Sequence, residues 1–151
     1  MSREDAILDQ WFCRAVESYP GETVRFLSTE TDRFRNPVGR ILRENLAILL
    51  RELLGGMNPA ATKPALEAVI RLRAVQDVTA AQAVGFIFSV RPFVRQVIPE
   101  HDRESLDGKV DQLALLAFEE YVRCRELLSE IRLNEGRRAM AVPAALARAR
   151  S

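Results

Sequence analysis

The only histidine of the chain, His101, is the first candidate for acid–base catalysis or for haem ligation. It lies in a predicted connector between Pro99 and Glu104, and no predicted helix contains it. A catalytic base or haem ligand needs a partner group and a surrounding pocket. We therefore predict an exposed loop histidine, and we expect no haem and no other cofactor.

Acidic residues occur as adjacent pairs, at Glu4-Asp5 and at Glu119-Glu120. General acid–base catalysis needs two carboxyl groups that converge in a cleft, and neighbouring helical residues diverge by about 100°. We interpret both pairs as solvated helix faces. The glycine pair at 55–56 follows a predicted helix and lacks the GK[ST] of a phosphate loop, and no ExxH pair is present. The sequence thus predicts neither catalytic nor metal-binding residues.

The two cysteines, Cys13 and Cys124, both fall within helical patterns and belong to no CxxC motif. We predict buried, reduced thiols, as in most intracellular proteins. A thiolate ligand to haem at either position is the alternative.

Three phenylalanines, Phe86, Phe88 and Phe93, fall in the most apolar segment of the chain. Core packing is the ordinary interpretation of such a group, and a ligand cavity is the alternative. Pro92 lies in the same segment and predicts a kink, because it removes a backbone donor and crowds the carbonyl of Phe88. We expect Phe88→Ala to be severely destabilising.

Composition predicts one globular domain of ordinary size. The chain has 151 residues, of which 48% are hydrophobic and 28% charged. Its net charge is +1. Residues 132–151 hold five arginines and one glutamate, hence +4, which leaves about −3 for the remainder. We expect a folded domain over 1–135, a flexible basic Ala/Arg tail over 136–151, and no nucleic-acid partner. Without a signal peptide or a long apolar run, we also expect a cytoplasmic protein with no membrane span.

Helix signals dominate, and strand signals are almost absent. Asn36-Pro37 and Asn58-Pro59 each resemble an N-cap followed by proline at the first helical position, and Thr79 with Gln82 forms a capping-box pattern. With the apolar periodicity, these marks predict helices near 3–18, 22–28, 37–54, 59–77, 80–98 and 105–135. The fold class is therefore all-α, a helical bundle of about six helices with a long C-terminal helix.

The last predicted helix is longer than a small domain is wide, about 45 Å at 1.5 Å per residue. Part of its apolar face, including Leu128, therefore needs a partner. The first helix carries Trp11 and Phe12, types favoured at interface centres. We predict a homodimer built on the first and last helices.

Four segments carry a family resemblance: N-P-V-G at 36–39, G-G-M-N-P at 55–59, I-R-L-R-A-V-Q-D at 70–77 and T-A-A-Q-A-V-G-F-I-F at 79–88. Together with the opening Trp11-Phe12 helix and Tyr19-Pro20, they resemble the RsbRD N-terminal domain family, named after co-antagonists of the RsbT kinase in the bacterial stressosome. The resemblance covers about residues 5–130.

The resemblance implies a non-haem, globin-like fold, dimerisation, and a sensory or protein-binding role in stress signalling. In RsbR-type proteins a STAS output domain follows, and we expect none here, since the sequence ends at Ser151. We expect that the chain is not an enzyme and that it is a sensory or protein-interaction module. The alternative is an accessory or adaptor subunit of a cytoplasmic redox complex, linked to sulfate reduction, or of a signalling complex.

The polar residues of the third segment are Arg71, Arg73, Gln76 and Asp77. Arg73 and Asp77 are four residues apart, so they can pair on one helix face. The structural interpretation is a set of contacts that holds a helix corner. The functional interpretation is a polar surface that receives an unknown protein partner.

Overall fold

The computed structural model describes residues 2–17, 36–76 and 78–150, with side chains up to residue 140. Six α-helices lie in these ranges: α1 (Arg3–Val16), α2 (Pro37–Leu54), α3 (Pro59–Ala74), α4 (Ala80–Gly85), α5 (Arg91–Arg95) and α6 (Arg103–Arg150). Two 3-10 turns, Phe88–Val90 and Glu100–Asp102, precede α5 and α6. The described ranges contain no strand, and the all-α prediction with a long last helix is confirmed. The short helix predicted at 22–28 lies outside the described residues.

The predicted helix starts are confirmed in atomic detail. Asn36 Oδ1 accepts a hydrogen bond from Gly39 N at 2.8 Å, and Asn58 Oδ1 accepts one from Ala60 N at 3.1 Å. A Cβ atom at Gly39 would lie 2.3 Å from Nδ2 of Asn36. Glycine at this position therefore keeps space for the capping side chain, which gives the N-P-V-G segment a physical reason.

The core lies between α2 and α3, with α1 packed on α2. Each helix contributes its apolar stripe, as the periodicity predicted. The largest fully buried apolar side chains are Trp11, Leu42, Leu46, Leu49, Leu53, Ile70, Ile87 and Leu113.

The segment predicted as one kinked helix, 80–98, is instead divided into α4, a 3-10 turn and α5. In a continuous helix the carbonyl of Phe88 would accept from residue 92, and Pro92 has no N–H to donate. The carbonyl accepts from Arg91 N instead. The carbonyl of Phe86 accepts from the Trp11 indole at 2.8 Å. The proline thus breaks the helix upstream rather than bending it, and α1 supplies a donor at the break.

The break also changes the environment of Phe88, and the predicted burial of this residue is wrong. Phe88 is 45% exposed, with the Arg91 guanidinium 5.5 Å from its ring centroid. The neighbouring Ile87 is fully buried. Because the turn is tighter than an α-helix, the side chains of 86–90 do not follow the α-helical spacing on which the predicted burial of Phe88 was based.

We now expect Phe88→Ala to lower the free energy of unfolding by about 1 kcal/mol or less, because the ring is half exposed. Urea denaturation followed by circular dichroism measures this. Ile87→Ala is the matched control and should be several times more destabilising. Equal losses for the two variants would contradict the exposure of Phe88.

The last helix continues to Arg150 instead of ending near Glu135. Alanine and arginine are good helix formers, so this segment can be helical without forming a core. The chain divides into two compact units, Met1–Tyr121 and Val122–Ser151. The domain boundary at 135 and the flexibility of residues 136–151 stay predictions.

Candidate functional site

Arg73, one of the four polar residues singled out in the sequence, is buried with 2% of its surface exposed. Its Nε donates to Ala83 O at 2.9 Å and its two terminal nitrogens donate to Ala15 O at 2.7 Å and Gln82 O at 2.6 Å. The guanidinium carbon also lies 4.8 Å from the centroid of the Phe86 ring. The side chain of Arg73 therefore connects α3 to both α1 and α4.

The three carbonyls share a structural feature that explains the choice of arginine. Ala15, Gln82 and Ala83 are in the last turns of α1 and α4, where carbonyls have no donor within their own helix. Ile87 N bonds to Val84 O rather than to Ala83 O, because the helix has ended. The planar, multidonor guanidinium satisfies several such acceptors at once. Arg73 is thus a cap for two helix ends, which supports the structural interpretation of this segment.

The other three residues of the segment do not gather around Arg73. Arg71 is 65% exposed and lies 3.7 Å from Glu67 and 4.0 Å from Glu120. Gln76 is half-buried at the corner after α3. Asp77 lies outside the described residues, so its predicted pairing with Arg73 stays a prediction.

The structure corrects the placement of Trp11 and Phe12, which were expected at a dimer interface. Both are buried within the chain, Trp11 completely. The Trp11 ring stacks on Phe86 with centroids 6.2 Å apart, and the Arg43 guanidinium covers Phe12 at 5.6 Å. An aromatic pair on the apolar stripe of a helix can pack in a core or at an interface, and here both side chains pack in the core.

The remaining candidates for chemistry are dispersed. His101 is exposed, as predicted, and its Nε2 lies 3.4 Å from Asp102. Cys13 is exposed and Cys124 half-buried, so the prediction of two buried thiols is wrong. Glu120, expected on a solvated face, is buried. The described ranges contain no group of three or more potential metal ligands.

A shallow groove of about 320 Å³ lies beside the helix break, and Arg14, Glu17, Gln82, Phe86 and Ser89 are among its lining residues. Phe86 is buried at its floor, whereas Phe88 is exposed and Phe93 half-buried. Of the three phenylalanines, only Phe86 lines this groove.

The main exposed apolar surface of the described chain is on α6. One set is called the Leu128 face and consists of the exposed Leu127 and Ile131 and the half-buried Leu128. A second set lies on a different side of the helix and is called the outer stripe: Leu115, Phe118, Val122, Leu133 and Met140. The first set was predicted from the sequence and the second was not, although the spacing of the second set along the helix is visible in the sequence. Contiguous exposed apolar surface of this kind marks interaction sites.

No helix in the described ranges is long and apolar enough to cross a membrane.

Comparison with known proteins identifies a family. The family model described as the RsbT co-antagonist protein rsbRD N-terminal domain matches residues 5–135. No curated protein matches, and no solved structure does.

Proposed function

Because this chain belongs to the RsbT co-antagonist protein rsbRD N-terminal domain family, we propose that it is a cytoplasmic, non-catalytic sensory or protein-interaction module with a globin-like bundle. The exposed apolar surface of α6 carries the proposal. Leu127 and Ile131, which belong to the Leu128 face, are 56% and 44% exposed. A soluble chain presents such residues along a helix when another protein surface covers them.

The most direct occupant of the Leu128 face is a second copy of the chain, related by a two-fold axis. The first helix no longer contributes to this proposed dimer, since Trp11 and Phe12 are buried. Exposed Arg71 and the half-buried Gln76 stay proposed contacts for a further protein partner, as does Asp77.

Sedimentation equilibrium at micromolar concentration is expected to give twice the 17.1 kDa mass of the chain. Leu128→Glu should weaken this association, because it places an unpaired charge in an apolar seam. Gln112→Glu is the control, since it adds the same charge to an exposed position of α6 that lies more than four turns before Leu128. A purely monomeric wild type would contradict the dimer, and a dimer that tolerates Leu128→Glu would contradict the position of the seam.

The sensory role is tested by affinity capture from the native organism with the wild type and with Leu128→Glu. Stress-signalling proteins that bind the wild type specifically would support the proposal. Specific capture of electron-transfer subunits would favour the accessory role in a redox complex instead.

A further inference from the structure

A cavity of about 230 Å³ lies between the C-terminal end of α2 and the beginning of α6. Its lining residues all belong to the compact unit Met1–Tyr121. Drug-sized ligands occupy cavities of about 300–1,000 Å³. At about 30 Å³ per water molecule, this smaller cavity has room for roughly eight waters, so it suits a ligand of about eight to ten non-hydrogen atoms.

Most of the described lining residues are aliphatic: Leu53, Leu54, Ile98 and Leu106. Leu53 and Leu106 are almost fully buried, with 1% and 3% of their surface exposed, and the other two are half-buried. None of the described lining residues is aromatic. This lining favours a branched aliphatic group over a flat ring.

The three polar lining residues form a row at the beginning of α6. Asp102 ends the 3-10 turn before α6, and Ser105 and Lys109 follow it at spacings of three and four residues, on the same side of the helix. The row spans about 11 Å along the helix axis. A carboxylate at one end of the row and an ammonium at the other are the complement of a ligand that carries both charges.

Both charged groups are held in place and can still bind a ligand. Lys109 Nζ donates to Gly55 O at the end of α2, and an ammonium group has three donors, so two are left for ligand oxygens. Oδ1 of Asp102 lies 3.4 Å from Nε2 of His101. A carboxylate accepts up to about four hydrogen bonds, so Asp102 can also accept from a ligand ammonium.

We propose that this cavity binds a free aliphatic α-amino acid of the size of leucine. The carboxylate of the ligand accepts from Lys109 and Ser105, its ammonium donates to Asp102, and its branched side chain packs against the aliphatic lining. A simple carboxylic acid or amine would leave one of the two charged residues without a counterpart. Binding at this site does not depend on the proposed function, and in a sensory module the amino acid is the signal.

Binding is tested with the full chain and L-leucine by isothermal titration calorimetry and by amide NMR. We expect saturable binding with a Kd of about 10 µM to 1 mM, as suits so small a ligand, and the largest shift changes in residues 53–55 and 98–109. 4-Methylpentanoate lacks the ammonium and 3-methylbutylamine lacks the carboxylate, so each should bind at least about tenfold more weakly. Equal binding of 4-methylpentanoate and leucine would overturn the proposal, and so would no binding at about 10 mM leucine.

Variants of the charged residues test the assigned contacts. Lys109→Gln and Asp102→Asn should each weaken leucine binding at least about tenfold, because each removes a charge-assisted hydrogen bond. Lys63→Gln and Glu104→Gln change exposed charges outside the cavity, so they should leave the Kd within about twofold. Circular dichroism checks the fold of Lys109→Gln, which loses the donor to Gly55 O, and Asp102→Asn decides if that variant is unfolded.

The outcomes separate this site from the proposed dimer. An unchanged Kd in Asp102→Asn would overturn the proposed ligand class. A dimeric chain that binds no leucine would overturn the binding site and leave the proposed function standing. A monomeric chain that binds leucine would contradict the dimer and support the binding site.

Discussion

Arg73→Met is expected to lower the free energy of unfolding by about 3–5 kcal/mol, because several buried carbonyls lose their donor and each costs about 1–3 kcal/mol. Methionine retains much of the stem of the side chain and cannot donate to Ala15 O, Gln82 O or Ala83 O. A domain with a total stability of about 5–15 kcal/mol would then be close to unfolding. Chemical denaturation followed by circular dichroism measures the change.

The neighbouring arginine offers a matched control. Arg71→Met removes the same group two residues away, where it is exposed and makes only longer ion pairs. Arg71→Met should therefore lower the free energy of unfolding by about 1 kcal/mol or less. The free energy of unfolding of Arg73→Lys should lie between those of the wild type and Arg73→Met, since an ammonium group cannot donate in the planar, multidonor geometry of a guanidinium. Similar stability for Arg71→Met and Arg73→Met would refute the capping role of Arg73.

Trp11→Ala is the second change with a large expected effect, a loss of about 3–5 kcal/mol. The indole is fully buried, stacks on Phe86, and donates to Phe86 O at 2.8 Å across the helix break. Alanine would leave a cavity between α1 and the 3-10 turn in addition to the lost hydrogen bond. Because Trp11 is the only tryptophan, the variant has no tryptophan fluorescence, and its unfolding is followed by circular dichroism.

Trp11→Phe separates packing from hydrogen bonding at this position. The Phe86 carbonyl still accepts from Ser89 Oγ at 2.5 Å, so the lost indole donor does not leave it unsatisfied. We therefore expect Trp11→Phe to cost about 1–2 kcal/mol, well below Trp11→Ala. If Trp11 were a surface residue at a dimer contact, both variants would instead change association and leave the stability of the monomer nearly intact.

Local chemistry made the helix starts predictable from the sequence. Asn36 before Pro37, Asn58 before Pro59, and Thr79 three residues before Gln82 each place a side-chain acceptor beside free N–H groups. These interactions join residues two or three positions apart, so they do not depend on the rest of the fold. The helical periodicity of the core is also a local pattern, so it was predictable from the sequence. The family was predictable as well, because several residues of its motifs, Asn36, Asn58 and Thr79, make these local capping contacts.

Only the tertiary structure decided which surface each side chain meets. The sequence showed that Arg73 and Arg71 are close, but the ends of α1 and α4 bury one and leave the other in solvent. It showed a proline in the segment 80–98, but it did not show that the Trp11 indole, 75 residues away, donates to Phe86 O at the break between α4 and α5. Helix spacing specifies which residues share a face, and it does not specify whether a core or a second molecule covers that face. For this reason Trp11, which was expected at an interface, is buried in the core, and Phe88, which was expected in the core, is half exposed. The outer stripe of α6 likewise became recognisable only once the exposure of its residues was known.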